Sequence, residues 1–336
     1  MQNKTSSSTF GPDLNEFKEN VDFRVLASTV DFIYLRSSGS GTGSFRVDKK
    51  FIEYARGCRN YGIPVGAYHF GVPSSDLSTA DSQCDDFINV LQQGFGQGDY
   101  GDIFPTLDIE SPIEKTITTA ELVRWIDRFR KRFEQKTRRR LMLYTGLFFI
   151  KIYDDFKVNN SYPLSNMPLW IAMYKEIPGN PPYPPDIGGW KRWTIWQFTE
   201  QGNIKGVDPP VDLNWGPNSI DELKPPSNVS GLSASMDKNY IYVTWNANRD
   251  KDLMGYNIYV NSNYIKTLGK GVNYYRIPRS TISVPINRPI EIGVEAFDSS
   301  GEFSKNRSKV TLTQSRGEPI LEEDKFYIKG DIIIRT

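Results

Sequence analysis

From residue 30 to about 215, short and nearly continuous apolar runs alternate with amphipathic stretches, and this alternation limits the chain to few folds. The runs are FIYL (Phe32 to Leu35), PVGAYHF (Pro64 to Phe70), IFPTLDI (Ile103 to Ile109), LMLYT (Leu141 to Thr145), PLWIA (Pro168 to Ala172) and WTIWQF (Trp193 to Phe198). Runs without polar alternation suit strands covered on both faces, as in parallel sheets. Between them, Phe51, Tyr54, Ala55 and Cys58 recur at helical spacing after Asp48, until Gly62 and Pro64 stop the helix. Ala80, Cys84, Phe87, Ile88 and Leu91 make a second stripe. Leu122, Trp125, Ile126, Phe129 and Phe133 make a third, behind a Thr118/Glu121 capping-box pattern. Strand–helix alternation of this extent predicts an α/β domain, with a barrel fitting as well as an open sheet.

The character changes after Gly216. GPNSIDELKPPSNVS (Gly216 to Ser230) reads as a linker, because paired prolines cannot continue a helix. Beyond it, YIYVTW (Tyr240 to Trp245), GYNIYV (Gly255 to Val260), IEIGVEAF (Ile290 to Phe297) and KVTLT (Lys309 to Thr313) are separated by Asn, Gly, Asp and Ser clusters. That pattern predicts an all-β sandwich. FYIKGDIIIR (Phe326 to Arg335) suggests a last hairpin about Lys329-Gly330-Asp331. The expected organisation is a flexible N-terminal tail over 1–10, a catalytic domain over 11–216, a linker over 217–227, a β-module over 228–314 and a tail over 315–336. The Pro-rich stretch from Ile177 to Trp190 reads as a long loop on a barrel rim, and SSGSGTGS (Ser37 to Ser44) as a flexible rim loop, since it lacks the phosphate-loop Gly-Lys-Ser/Thr ending.

Composition removes several functions. The 336 residues carry 41 Lys plus Arg against 40 Asp plus Glu, a formal net charge of +1, so the chain offers little excess charge for phosphate neutralisation and nucleic acid is not an expected partner. One histidine and two cysteines leave no zinc ligand set, and no metal or cofactor is expected. Cys58 and Cys84 fall on apolar helical stripes and read as buried thiols. A Cys-dependent amidase or peptidase using one of them with His69 is therefore a weak competitor, and His69 reads as a hydrogen-bonded structural residue. The basic run from Lys136 to Arg140 reads as a solvated helix end. The start, MQNKTSSSTF, has no apolar secretory core, and no run approaches the roughly 18 residues of a membrane span.

Carboxylates thus become the leading candidates for chemistry. In TLDIES, Asp108 and Glu110 end an apolar strand two residues apart, which points both side chains the same way. Paired acids at a strand mouth suit glycoside hydrolysis, where one carboxyl stays protonated beside an ionised neighbour. A pair of solvated strand-end acids is the alternative. Asp13 in GPDLN would end a first strand and Asp212 in PPVDLNW a last one. First and last strands are neighbours in a closed barrel, so all four acids would converge; alone, either aspartate would be a turn or cap residue. Tyr68, Tyr144, Tyr174 and Trp196 also fall at strand ends, and aromatic faces with a polar tip suit sugar rings.

With these residues in view, the first 215 positions resemble glycoside hydrolase family 25, the Chalaropsis-type muramidases. The resemblance rests on GPDLN, AYHF (Ala67 to Phe70), TLDIE, LYTG (Leu143 to Gly146), LWIAMY (Leu169 to Tyr174), TIWQF (Thr194 to Phe198) and VDLN (Val211 to Asn214), in that order. It implies an irregular, TIM-like β/α barrel that cleaves the β-1,4 bond between N-acetylmuramic acid and N-acetylglucosamine in peptidoglycan. Glu110 would be general acid and then base. Asp108 would stabilise the oxocarbenium ion or orient the substrate acetamido group, with Asp13 and Asp212 as the acidic floor. Tyr68, Tyr144, Tyr174, Gln197 and Arg36 would contact sugars. Relatives often carry Lys-Ala-Thr-Glu-Gly where this chain has Arg36-Ser37-Ser38-Gly39-Ser40, so the carboxylate of that subsite is missing. That gap is what supports a non-catalytic wall-binding protein as a competing reading.

The β-module resembles fibronectin type III, with Trp245 as the buried tryptophan and Tyr256 heading the next strand. The combination resembles muramidases of the spore cortex that act outside the membrane at germination without a signal peptide. Bacteriophage lysins of the vegetative wall share the architecture. Unpaired edges of the module and tail suggest a homodimer.

Overall fold

The computed structural model describes residues 1–41, 44–111, 115–283 and 288–313, with the backbone of 328–329 and 332–333. It resolves into two compact units: Met1–Ser227 with Arg249–Met254 and Phe297–Lys305, and Asn228–Asn248 with Gly255–Ala296 and Asn306–Thr336. Among the described residues no helix is long and apolar enough to cross a membrane.

The first unit is a closed eight-stranded barrel. Its strands are β1 (Phe10–Leu14), β2 (Ile33–Gly39), β4 (Val65–Phe70), β5 (Thr106–Asp108), β6 (Met142–Gly146), β7 (Leu169–Ala172), β8 (Ile195–Gly202) and β9 (Val211–Trp215), while β3 (Arg46–Val47) pairs antiparallel with the end of β2. Neighbours run parallel from β1 through β8, whereas β9 is antiparallel to both β8 and β1 and closes the ring. Strand side chains alternate between two buried environments. Leu35, Ala67, Leu107, Leu143, Ile171 and Trp196 join the outer layer under the helices. Tyr34, Tyr68, Met142, Tyr144, Trp170 and Ile195 fill the inside. Each large aliphatic side chain among them contributes about 1.5–3 kcal/mol on burial, which explains why the sequence runs show no polar alternation.

The outer layer comprises α1 (Phe23–Leu26), α2 (Phe51–Asn60), α3 (Ser78–Phe95), α4 (Thr119–Thr137) and α5 (Leu147–Ile152). At the start of α4 the Thr118 hydroxyl accepts from the Glu121 amide and the Glu121 carboxylate accepts from the Thr118 amide, so both halves of the capping box form. Cys58 and Cys84 are buried and free, and burial pushes the Cys58 thiol up. His69 is fully buried, with Ser38 Oγ 2.9 Å from Nδ1 and Gln83 Oε1 3.3 Å from Nε2. Burial holds its pKa down at about 4, so the ring is neutral. Gly11 lets β1 approach β2: a Cβ there would sit 2.1 Å from the Phe32 carbonyl oxygen.

Four expectations are corrected. Ser37 to Gly39 continue β2 and are buried, because the strand must run on to reach Phe70 of β4. Within the basic run, Arg139 is 3% exposed and pairs with fully buried Glu302, while donating to Gly101 O at 2.9 Å and Ile103 O at 3.1 Å. The stretch read as linker contains a 3-10 turn, Ile220–Leu223, whose Leu223 is fully buried against the barrel interior. The N-terminal residues are tied down: Gln2 Nε2 donates to Trp193 O at 2.7 Å, and Trp193 Nε1 donates to Gln2 O at 2.8 Å.

In the second unit, β10 (Ser233–Met236), β11 (Tyr240–Thr244) and β14 (Tyr274–Pro278) form one antiparallel sheet. The other is a four-stranded sheet in the order β13 (Asn263–Gly269), β12 (Leu253–Val260), β15 (Ile290–Asp298) and β16 (Ser308–Leu312). Ile241, Val243, Ile258, Ile277, Ile292 and Val294 are fully buried, and Trp245 lies edge-on to Tyr256 at 5.2 Å. A short antiparallel pairing joins β17 (Ile328–Lys329) to β18 (Ile332–Ile333); the Gly330-Asp331 part of the expected hairpin, like Phe326 and Arg335, lies outside the described residues.

Candidate active site

The barrel mouth holds a cavity of about 240 Å³ lined by Asp13, Asn15, Arg36, Tyr68, Phe70, Asp108, Glu110, Tyr144, Trp170, Tyr174, Gln197, Glu200 and Asp212. The nine site residues that the family resemblance implies meet in one place, the four acids with Tyr68, Tyr144, Tyr174, Gln197 and Arg36, whereas Trp196, noted with the strand-end aromatics, is fully buried in the outer layer and donates to Met173 O at 2.7 Å. One detail differs. Asp212 is the second residue of β9 rather than a strand end, and it reaches the mouth because β9 runs against the other strands. Asp13 and Asp212 are direct cross-strand partners.

Below the acids lies a chain of side-chain hydrogen bonds. The hydroxyls of Tyr144 and Tyr174 both donate to Gln197 Oε1, at 2.9 and 2.8 Å. Gln197 Nε2 donates to Asp13 Oδ2 at 3.0 Å, and Asn214 Nδ2 donates to the same oxygen at 2.9 Å. Trp170 Nε1 in turn donates to Asn214 Oδ1 at 2.8 Å. Both amides are buried and fixed by their donors, so their N–H groups must face Asp13. Two charge-directed donors favour the anionic form of Asp13 and oppose the burial that raises its pKa.

The other carboxyls lack such support. Burial and then Asp13 push Asp212 up to about 8. Burial pushes Asp108 well above the usual carboxylate range, with Glu110 and Asp13 adding repulsion and Arg36 opposing it. Glu110 is raised by burial and by the charges of Asp13 and Glu200. Its side chain remains accessible to solvent in the cleft, whereas Asp108 is only 4% exposed. Asp108 Oδ1 is buried without a hydrogen-bond partner among the described residues, an acceptor left for something that enters the cavity. Such a site can hold a proton on one carboxyl at neutral pH and present negative charge to a developing cation nearby.

Arg36, at the cavity edge, is engaged from behind. Its Nε donates to buried Asp48 at 2.9 Å, its terminal nitrogen to Glu16 at 3.3 Å, and its guanidinium lies 5.0 Å from the Phe17 ring centroid. Sequence reasoning missed Asn214, Trp170 and Glu200 as lining or supporting residues. Asn214 carried a signal, since it lies two residues from Asp212 in the quoted VDLN. Glu200 carried none.

Comparison with known proteins identifies the barrel. The model of the family described as Glycosyl hydrolases family 25 matches residues 12–207, more than half of the chain and nearly all of the barrel. The chain belongs to glycosyl hydrolase family 25. The crystal structure of the spore cortex lytic enzyme SleM of Clostridium perfringens is 61% identical, with 93% of this chain and all of that chain covered and a TM-score of 0.89. The N,O-diacetylmuramidase of Chalaropsis sp is 28% identical over 224 residues, covering 64% of this chain and 96% of that protein. The N,O-diacetylmuramidase of Arthroderma benhamiae is 28% identical over 206 residues, covering 60% of this chain and 81% of that protein. The family is a glycoside hydrolase family, and the acidic mouth is the part of the barrel suited to that chemistry.

Proposed function

We propose that the protein is an N-acetylmuramidase that hydrolyses the β-1,4 bond from N-acetylmuramic acid to N-acetylglucosamine in peptidoglycan, acting outside the membrane. Glu110 is the general acid and then the base. Burial and the charges of Asp13 and Glu200 raise its pKa and so favour the protonated form that the departing glycosidic oxygen needs, and its exposure lets water follow. Asp108 is its partner: the open Oδ1 accepts the substrate acetamido N–H, or faces the positive charge that develops at the anomeric carbon. Asp13, whose anionic form Gln197 and Asn214 favour against the burial that raises its pKa, shares a proton with Asp212 on the floor of the cleft. Tyr68, Tyr144 and Tyr174 wall the cleft in which the sugars lie, and Arg36 meets their polar substituents.

The observation that carries this reading is one cavity containing Asp108, Glu110, Asp13 and Asp212 with an unsatisfied Asp108 oxygen. The name of one relative, the spore cortex lytic enzyme SleM, supports spore cortex peptidoglycan as the substrate, and germination is the occasion that this reading assigns to it. The sheet orders β10-β11-β14 and β13-β12-β15-β16, with buried Trp245, support a fibronectin type III module over 228–314, following in sequence a barrel over 11–216. A homodimer through the open sheet edges of that module belongs to the same reading, and elution at twice the chain mass would support it. Mass spectrometry of fragments released in parallel from cortex and vegetative sacculi tests the function. Fragments with reducing N-acetylmuramic acid ends, released faster from cortex, are expected. Reducing N-acetylglucosamine ends, or no release from either polymer, would overturn it.

A further inference from the structure

The two sheets of the second unit differ in what they offer to solvent. Along the β15–β16 edge of the four-stranded sheet two cations are matched by acids, Lys309 with Glu291 at 2.9 Å and Arg307 with Glu295 at 3.2 Å. The three-stranded sheet is different. Ile241, Val243 and Ile277 point inward and are fully buried. The alternate positions Tyr240, Tyr242 and Thr244 of β11 and Tyr274 and Arg276 of β14 therefore share the opposite face. Tyr242 lies beside Arg276 and Thr244 beside Tyr274 in register, with Ser235 and Ser233 flanking on β10.

Three tyrosines and a cation thus make a continuous outward platform. The Tyr240 and Tyr242 ring centroids are 6.2 Å apart, and the Arg276 guanidinium lies 4.3 Å over Tyr240. Arg276 has no carboxylate partner among the described residues, and Tyr274 is 47% exposed. The platform is also pre-set. Asp237 accepts from the amides of Asn239 and Tyr240, each at 2.7 Å, which fixes the turn into β11, and from the Tyr242 hydroxyl at 2.7 Å, so the Tyr242 ring loses little freedom when a ligand covers it. Tyrosine tolerates the solvent face of a strand for its β-propensity alone. Propensity accounts neither for three of them in adjoining register positions nor for an unmatched arginine among them.

We infer that this face binds the glycan strand of peptidoglycan, as a non-catalytic site on the second unit. The fit is chemical. Sugar rings have apolar faces for the tyrosines and hydroxyl edges for their tips, as well as for Ser233, Ser235 and Thr244. Muramic acid and its stem peptides carry carboxylates, which Arg276 would meet with a desolvated charge-assisted bond. The inference rests on peptidoglycan being the polymer on which this chain acts. It adds a second point of attachment, which raises residence on an insoluble polymer without altering turnover.

The test uses the full chain carrying Glu110→Gln, so that turnover cannot release it, and co-sedimentation with purified peptidoglycan sacculi. Tyr240→Ala with Tyr274→Ala should weaken binding by about tenfold, given what two aromatic contacts contribute. Arg276→Gln alone should weaken it less, and more at low salt than at high. In the active background the same changes should raise KM on sacculi and leave kcat, and the rate on short soluble glycan fragments, unchanged. Because binding is read without turnover, the result is separable from whether the barrel is a muramidase. Unchanged co-sedimentation, equal losses on soluble and insoluble substrate, or variants that change oligomeric mass instead of sacculus binding would each overturn the inference, the last by making the face a self-interface.

Discussion

Asp13 and Asp212 face each other as direct partners on antiparallel β1 and β9, yet their surroundings differ. Asp13 receives two amide donors and Asp212 is pushed up to about 8 by burial and by Asp13 itself. The folded protein therefore holds a proton on Asp212 that the unfolded chain releases near pH 4. Stability from this group is complete below about pH 4 and is lost as pH rises through about 8. Asp212→Asn should remove that loss. At pH 8 the variant should be more stable than the parent by on the order of 1–3 kcal/mol, a rise in Tm of several degrees, and less active. Thermal melts between pH 4 and 8 check this; parallel curves for the two proteins would contradict it.

Gln197 joins two tyrosine hydroxyls to Asp13. Gln197→Ala leaves Tyr144, Tyr174 and Asp13 without their shared partner. We expect kcat/KM on peptidoglycan to fall by roughly tenfold to a hundredfold, as for the loss of 1–3 kcal/mol of buried hydrogen bonding. Steady-state kinetics at matched protein stability measure it, and parental kinetics would contradict the role.

Glu302 and Arg139 form a buried pair, and burial pushes the carboxyl up to about 7 against the pull of Arg139. Glu302→Ala would leave a cation uncompensated, and about 3–5 kcal/mol of stability should be lost. Combining Arg139→Met with Glu302→Leu should recover most of that loss. Urea denaturation of the three proteins is the check, and a single variant as stable as the parent would contradict the account.

Much of this was legible in the sequence for definable reasons. The barrel strands lie covered on both faces, so their apolar runs stand out, and the helices announce themselves through stripes and, at Thr118, a cap. The acids were legible because Asp108 and Glu110 sit at the end of such a run. Strand direction left no such mark, so the antiparallel entry of β9, and with it the place of Asp212 near its start, had to come from the structure. Leu223 hides in a Pro-containing stretch whose composition reads as linker. Arg139 sits in a basic run while its partner is 163 positions away, and no local pattern encodes so distant a pair. Glu200 reaches the cleft from the far part of β8 as one polar residue among several.

The central claim is that Glu110 donates the proton that splits the glycosidic bond. The most direct measurement is the rate of reducing-end release from purified peptidoglycan by Glu110→Gln, which keeps the shape of the side chain and removes its proton transfer. With an unchanged melting transition, activity should fall by at least 10²–10⁴-fold. A variant that folds as the parent does and cleaves glycan at a comparable rate would contradict it.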